Sequence, residues 1–117
     1  MDMLVFNSGD VIVREGAPGT CMFYVLAGKV AVYLHYAEDD ERKLGELEEK
    51  QFFGEMGLLN GKPRSATVVA LEDNTCVQVI TKENFKAFCA EYPEEVFVIM
   101  QQLSERLRTA NLSEETN

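Results

Sequence analysis

Phe52-Phe53-Gly54-Glu55-Met56-Gly57-Leu58-Leu59-Asn60-Gly61-Lys62-Pro63-Arg64-Ser65-Ala66-Thr67-Val68 is the stretch from which the rest of this chain can be read. Gly54 permits a close backbone approach, and Glu55 to Leu59 is long enough for about one helical turn or slightly more. Asn60-Gly61 ends that turn with two residues that tolerate left-handed backbone. A short helix of this kind turns unpaired N–H groups toward whatever lies before it. Arg64 then enters a strand beside the small residues Ser65 and Ala66, whose amides are also within reach. One guanidinium, a helix N-terminus and bare amides describe a pocket for a single phosphate. Glu55 fits such a pocket if the ligand also carries a hydroxyl, since a bond to a charged carboxylate contributes about 1.5–3 kcal/mol. An arginine fork on a phosphate adds directional pairing. A phosphate and a sugar hydroxyl together spell a nucleotide.

Outward from that stretch, the first two-thirds of the chain reads as short strands between turn residues. Gly9-Asp10 leads into Val11-Ile12-Val13, and Glu15-Gly16-Ala17-Pro18-Gly19 is a turn by composition. Met22 to Ala27 is a continuous apolar run ended by Gly28. Val30, Val32 and Leu34 then alternate with Lys29, Ala31, Tyr33 and His35, the period of a half-buried strand. Glu38 to Glu41 is expected to be a solvated hairpin tip, because the alternating ligands and central glycine of a calcium loop are missing. Further strands are expected over Ser65 to Leu71 and Cys76 to Ile80.

After Ile80 the period changes to that of a helix. Thr81 is a candidate cap for a helix to about Glu91, with Phe85, Phe88 and Cys89 on one face. Pro93 suits the first turn of a last helix. Glu94 and Glu95 near its start and Arg106 and Arg108 near its end match the helix dipole. Val96, Met100, Leu103, Leu107 and Ala110 form its apolar stripe, which is expected to pack on the core. If exposed, that stripe would make a homodimer through the C-terminal helix. Strands followed by two helices give an α+β class with a sandwich or barrel. A single domain over residues 1–117 is expected, with strands from about 4 to 80 and helices from about 82 to 111.

The 117 residues carry 11 basic and 20 acidic side chains, a net charge of −9, and 46% of them are apolar. That apolar fraction supports a real core. The acidic balance argues against nucleic-acid and membrane-surface binding, both of which begin with a basic footprint. No run is long enough to span a bilayer, and the N-terminus lacks a secretion signal. Cys21, Cys76 and Cys89 are an odd, widely spaced set, expected to be buried reduced thiols in a cytoplasmic protein. His35 is the lone histidine, expected as an exposed bystander, and no metal-ligand spacing is present. No nucleophile with an adjacent base is visible, so the chain does not read as an enzyme.

The stretch FGEMGLLNGKPRSATV resembles the phosphate-binding cassette of cyclic nucleotide-binding domains, found in catabolite activator proteins, regulatory subunits of cyclic-nucleotide-dependent kinases and cyclic-nucleotide-gated channels. Gly9-Asp10-Val11-Ile12, Arg14-Glu15-Gly16 and Leu26-Ala27-Gly28-Lys29-Val30 resemble the family's opening strands and turns, and the two final helices its hinge and lid. The resemblance implies an antiparallel β jelly-roll-like barrel with a cassette over 52–68 that carries a short helix, and two C-terminal helices. It implies that Glu55 binds a ribose 2′-hydroxyl and Arg64 the cyclic phosphate. Backbone groups of Gly54, Met56, Gly57, Ser65 and Ala66 would complete the cradle. Val32 and Leu44 would line the ribose and base pocket, and Arg106 and Asn111 would lie near the capping positions of the lid. Ser65 tilts the preference toward cyclic AMP over cyclic GMP. No cofactor is implied beyond that ligand.

Where the family usually has a glycine two residues before the first cassette Phe, this chain has Lys50. A different turn is expected there. Without a DNA-binding arm, an inhibitory segment or a pore, the chain is expected to be a sensor separated from its output, either stand-alone or a fragment of something longer. Its output partner stays open at this point. A domain of the same fold that works as a ligand-independent protein-interaction module is the alternative, and the pairing of Glu55 with Arg64 argues against it.

Overall fold

The computed structural model describes residues 2–116, with side chains through residue 109. Its elements run β1 (Met3–Phe6), β2 (Val11–Val13), β3 (Met22–Ala27), β4 (Lys29–Leu34), β5 (Arg42–Glu48), β6 (Phe52–Phe53), α1 (Glu55–Asn60), β7 (Thr67–Ala70), β8 (Thr75–Ile80), α2 (Lys82–Glu91) and α3 (Pro93–Thr116). The strands form two four-stranded sheets ordered β1-β8-β3-β6 and β2-β7-β4-β5. Every pairing is antiparallel. This is the jelly-roll with a cassette helix and C-terminal helices that the sequence implied.

β3 is apolar at every position because both of its faces are covered. Phe23 and Val25 point between the sheets with Val30, Phe53, Val68 and Val77. Met22 and Tyr24 point the other way, into a second core with Phe52, Leu58, Ile80, Phe88 and Ile99 that the helices cover. Successive strand side chains take opposite faces, so one strand feeds two cores. Each fully buried side chain of this size contributes roughly 1.5–3 kcal/mol. Phe52, at 0% exposure, ties the cassette directly to the helix-covered core.

Thr81 caps α2 as expected. Its hydroxyl accepts from the Asn84 amide at 3.2 Å, and the Asn84 side chain accepts from the Thr81 amide at 2.8 Å. The face expected of α2 is narrower than the sequence suggests. Phe88 is buried, Cys89 is half-buried, and Phe85, about 60° around the helix from Phe88, stands at the exposed rim. The apolar stripe of α3 also divides. Ile99 is buried and Val96 and Leu103 pack on the core, whereas Met100 and Leu107 are 62% and 63% exposed. One helix lying on a curved surface buries only a thin strip, so the packed side is rotated from the stripe read in the sequence. α3 itself continues past residue 111 to Thr116.

His35 does not continue β4. It sits just past the strand with φ 55°, and its Nδ1 lies 2.8 Å from Asp40 in the β4–β5 tip. It is exposed but engaged, since its ligand atom and those of Glu38 and Asp40 lie within 4.8 Å of one another. The three cysteines are unbridged and half-buried instead of fully buried. Among the described residues, no helix is long and apolar enough to cross a membrane.

Candidate functional site

Arg64 is 8% exposed, and among the described residues it has no carboxylate partner. Its backbone is clamped to the turn before β3: Arg64 N–H donates to Ala17 O at 2.9 Å, and Gly16 N–H donates to Arg64 O at 2.7 Å. The guanidinium Nη1 donates to Cys21 O at 2.7 Å and Gly54 O at 3.1 Å, while Nη2 lies 3.5 Å from Cys21 Sγ. The ring of Phe23 lies beneath it, 5.5 Å from centroid to Cζ. Two carbonyls orient this cation without neutralising it, so a buried positive charge faces the cavity and favours an anion.

Bare backbone surrounds that charge. A Cβ on Gly19 would overlap Arg64 Nε and Nη2, and a Cβ on Gly54 or Gly57 would lie 2.8 Å from Nη1. Gly54 also precedes α1 with φ 81°, and no side chain caps that helix. Of the first-turn amides of α1, that of Gly57 donates to Gly54 O at 3.2 Å, while those of Glu55 and Met56 have no hydrogen-bond partner among the described residues. Gly61 closes α1 in left-handed backbone, its N–H donating to Gly57 O at 3.2 Å and the Lys62 N–H donating to Met56 O at 3.4 Å, as Asn60-Gly61 suggested.

Glu55 opens α1 beside this cradle, and Arg106 reaches it from α3. Arg106 Nη1 is 3.4 Å from Glu55 Oε1, and Nη2 donates to Phe52 O at 3.1 Å. The guanidinium also covers the Phe52 ring at 4.1 Å. Arg106 thus rests on the cassette itself, and Glu55 retains acceptor capacity on a carboxylate that is 19% exposed.

Arg64 and Glu55 open onto one cavity of about 460 Å³. Gly54, Met56, Gly57, Ser65, Ala66, Val32, Leu44 and Arg106 all line it, so the fold brings together every candidate residue but one. That one, Asn111, has a side chain outside the described residues. Leu44 owes its place to a bulge: Val32 pairs with Gly45 and Tyr33 with Lys43, leaving Leu44 as the extra residue on β5. A bulge re-aims the side chain it carries, and Leu44 stands half-exposed at the mouth. At the same mouth, Glu46 accepts from Lys43 and its carboxyl is held below the usual carboxylate range by that bond.

Sequence reasoning missed Val13, Leu47 and Val68, which form the apolar wall with Val32, and it missed Cys21 and Gly19 at Arg64. Strand alternation alone marks Val13, Leu47 and Val68 as core residues and carries nothing to separate wall from core. A cation with a bare-amide cradle, a carboxylate about one helical element away and an apolar wall suit a ligand that is anionic at one end, hydroxylated in the middle and flat at the other.

Comparison with known proteins agrees with that geometry. The profile of the family "Cyclic nucleotide-binding domain" matches residues 3–92. The chain is similar to a cAMP-dependent protein kinase regulatory subunit of Dictyostelium discoideum, 34% identical over 72% of this chain and 26% of that one. It is also similar to cGMP-dependent protein kinase 2 of Homo sapiens, 30% identical over 80% of this chain and 12% of that one. It thus spans about a quarter or less of the length of these relatives. Among solved structures, the Thermus thermophilus catabolite activator protein superposes with a TM-score of 0.79, at 30% identity, over 97% of this chain and 53% of that one. With its fold, cassette and profile in agreement, this chain belongs to the cyclic nucleotide-binding domain family.

Proposed function

We propose that this chain is a sensor domain that binds a cyclic nucleotide, prefers cyclic AMP to cyclic GMP, and couples binding to movement of α3. The observation that carries the reading is the buried Arg64 guanidinium, oriented by two carbonyls, without a carboxylate, and ringed by glycines. In this reading the cyclic phosphate takes the open side of Arg64 and the amides of Gly54, Met56, Gly57, Ser65 and Ala66. Glu55 accepts a hydrogen bond from the ribose 2′-hydroxyl. Val32 and Leu44 contact the ribose and base, and Arg106 and Asn111 belong to the lid. The kinases this chain is similar to are named for both nucleotides, so the base preference rests on Ser65.

Coupling rests on Arg106, which holds α3 to Glu55 and Phe52. A ligand on Glu55 changes the charge and packing that Arg106 meets, and so binds the two positions of α3 with different affinity. That difference shifts the population between them. Binding and transmission require no bond making, and the chain acts without catalysis. We assign it to the cytoplasm, with a partner or further domain as its output. Phe97, Met100 and Leu107, each at least 60% exposed on α3, support a homodimer through that helix.

The test is calorimetric titration of nucleotide-stripped protein with cyclic AMP and cyclic GMP. Micromolar or tighter binding is expected, with cyclic AMP the tighter ligand. Arg64→Ala should weaken it about 100-fold or more, since each lost bond to a charged group contributes about 1.5–3 kcal/mol. Glu55→Gln should weaken cyclic AMP more than its 2′-deoxy analogue. Absence of heat with either nucleotide, from folded protein, would replace this reading with the ligand-independent interaction module.

A further inference from the structure

A second cavity lies on the opposite side of β3 from Arg64, between the β1-β8-β3-β6 sheet and the start of α3. It measures about 170 Å³ and is lined by Tyr24, Gln78, Phe88, Tyr92, Glu49 and Glu95 among others. The nucleotide reading assigns it nothing. It is far smaller than the 460 Å³ cavity at Arg64, and no arginine is among the described residues that line it.

Its chemistry is that of a cation receptor. Three aromatic rings form the floor, with Tyr24 and Phe88 centroids 6.0 Å apart and Phe88 and Tyr92 centroids 5.4 Å apart. Aromatic faces attract a cation electrostatically. Glu49 and Glu95 stand at the rim, and neither takes part in an ion pair among the described residues. Tyr24 is only 5% exposed, yet its hydroxyl has no hydrogen-bond partner among the described residues and faces the cavity. Gln78, paired with Tyr24 across the two strands, spends its amide N–H on Asp2 O at 3.1 Å and keeps its carbonyl oxygen free. Burial, Glu95 and Glu49, in that order, hold the Tyr24 phenol above its ordinary range. Lys50 also contributes to the lining but pairs with neither carboxylate.

We propose that this cavity receives an arginine side chain from a basic segment of a partner protein. A guanidinium is planar, stacks on aromatic rings and offers five N–H donors, which matches the rings, the two carboxylates and the free Gln78 oxygen. A peptide is favoured over a free amine because a second cleft adjoins the first, sharing Glu49 and Lys50 and adding Glu48, Glu72 and Lys29, so that three carboxylates face two lysines there. A neighbouring basic residue would lie along that cleft, whose carboxylates outnumber its lysines by one, and the net charge of −9 draws the segment in. The proposal is independent of what occupies the cavity at Arg64.

The test uses the full chain and the dipeptide acetyl-Arg-Arg-amide, followed by NMR titration of the Tyr24, Phe88 and Tyr92 rings. Saturable shifts confined to those rings and their neighbours are expected. Glu49→Gln combined with Glu95→Gln should weaken binding roughly tenfold or more. Glu38→Gln with Asp39→Asn removes the same charge from the exposed hairpin tip and should change it less than about twofold. Equal losses in the two double variants would show long-range attraction only and overturn the site. Acetyl-Arg-amide binding as tightly as the dipeptide would overturn the peptide occupant in favour of a free cation. On the unaltered chain, the neutral isostere acetyl-citrulline-citrulline amide should not bind, and affinity equal to that of the arginine dipeptide would also overturn the proposal.

Discussion

Arg106 and Glu55 stand 51 residues apart in the chain and 3.4 Å apart in space, joining the last helix to the cassette helix. The same guanidinium stacks on Phe52 at 4.1 Å and donates to its carbonyl oxygen at 3.1 Å. One side chain of α3 therefore touches both the carboxylate that faces the large cavity and the aromatic ring that anchors the cassette in the core.

This contact predicts a measurable coupling. Arg106→Ala should cost about 1–2 kcal/mol of stability through the lost stacking and hydrogen bond. In a double-mutant cycle with Glu55→Gln, the pair itself should account for about 0.5–1 kcal/mol, less at high salt, because the arginine side chain is 39% exposed. Urea unfolding of the four proteins checks both numbers. Hydrogen exchange of α3 amides should rise in Arg106→Ala; unchanged protection would mean that other contacts hold the helix.

Gly19 leaves room for the Arg64 guanidinium, and its own φ is one an L-residue can adopt. Gly19→Ala should therefore fold and yet displace Arg64, because the added methyl overlaps Nε and Nη2. A drop of about tenfold or more in cyclic AMP affinity is expected, the equivalent of one weakened charged hydrogen bond. Calorimetry beside a thermal melt separates this from unfolding, and unaltered affinity would mean that the arginine can shift without loss.

Lys50 occupies the turn before the cassette with φ 72°, a left-handed conformation that costs an L-residue roughly 1–2 kcal/mol. Its amide donates to Val25 O at 3.0 Å, and Gln102 of α3 donates to its carbonyl at 3.2 Å, so the turn is held from two sides. Lys50→Gly should raise stability by about 0.5–1 kcal/mol, after the entropy that glycine adds to the unfolded chain is counted. Denaturant titration gives the sign directly.

The Tyr24 phenol is held above its ordinary value of 10.0 by burial and by Glu95 and Glu49. A raised acid binds its proton more tightly in the folded state, so its contribution is intact below pH 10 and is lost as pH rises from there through the folded value. Comparing the unfolding free energy of the native chain with Tyr24→Phe across that window isolates the effect. The native chain should lose stability faster, and parallel curves would place the phenol in water.

Much of this protein is legible locally. Thr81 with Asn84 marks the start of α2, Gly61 the end of α1, and alternation over Lys29 to Leu34 marks β4, because each depends on neighbours a few residues away. The stripe of α3 was legible as apolar but not as to orientation. Met100 and Leu107 match Val96 and Leu103 in hydrophobicity, and only the surface beneath the helix separates packed from exposed positions.

The cassette residues, their order and their residue types are properties of the sequence by itself: Gly54-Glu55, a single short helix, then Arg64-Ser65-Ala66. With them come the strands β2, β3, β4, β7 and β8, the turns and the acidic charge, whereas β1, β5 and β6 were not read from the sequence. The tertiary structure alone decided that Cys21 and Gly54 carbonyls orient Arg64, that a bulge turns Leu44 to the cavity, and that Arg106 meets Glu55. The physical reason is range. Helix caps and strand periodicity are set by residues within a turn or two, whereas these contacts join residues up to 51 positions apart. They exist only once both sheets have taken their register and the helices have settled on them.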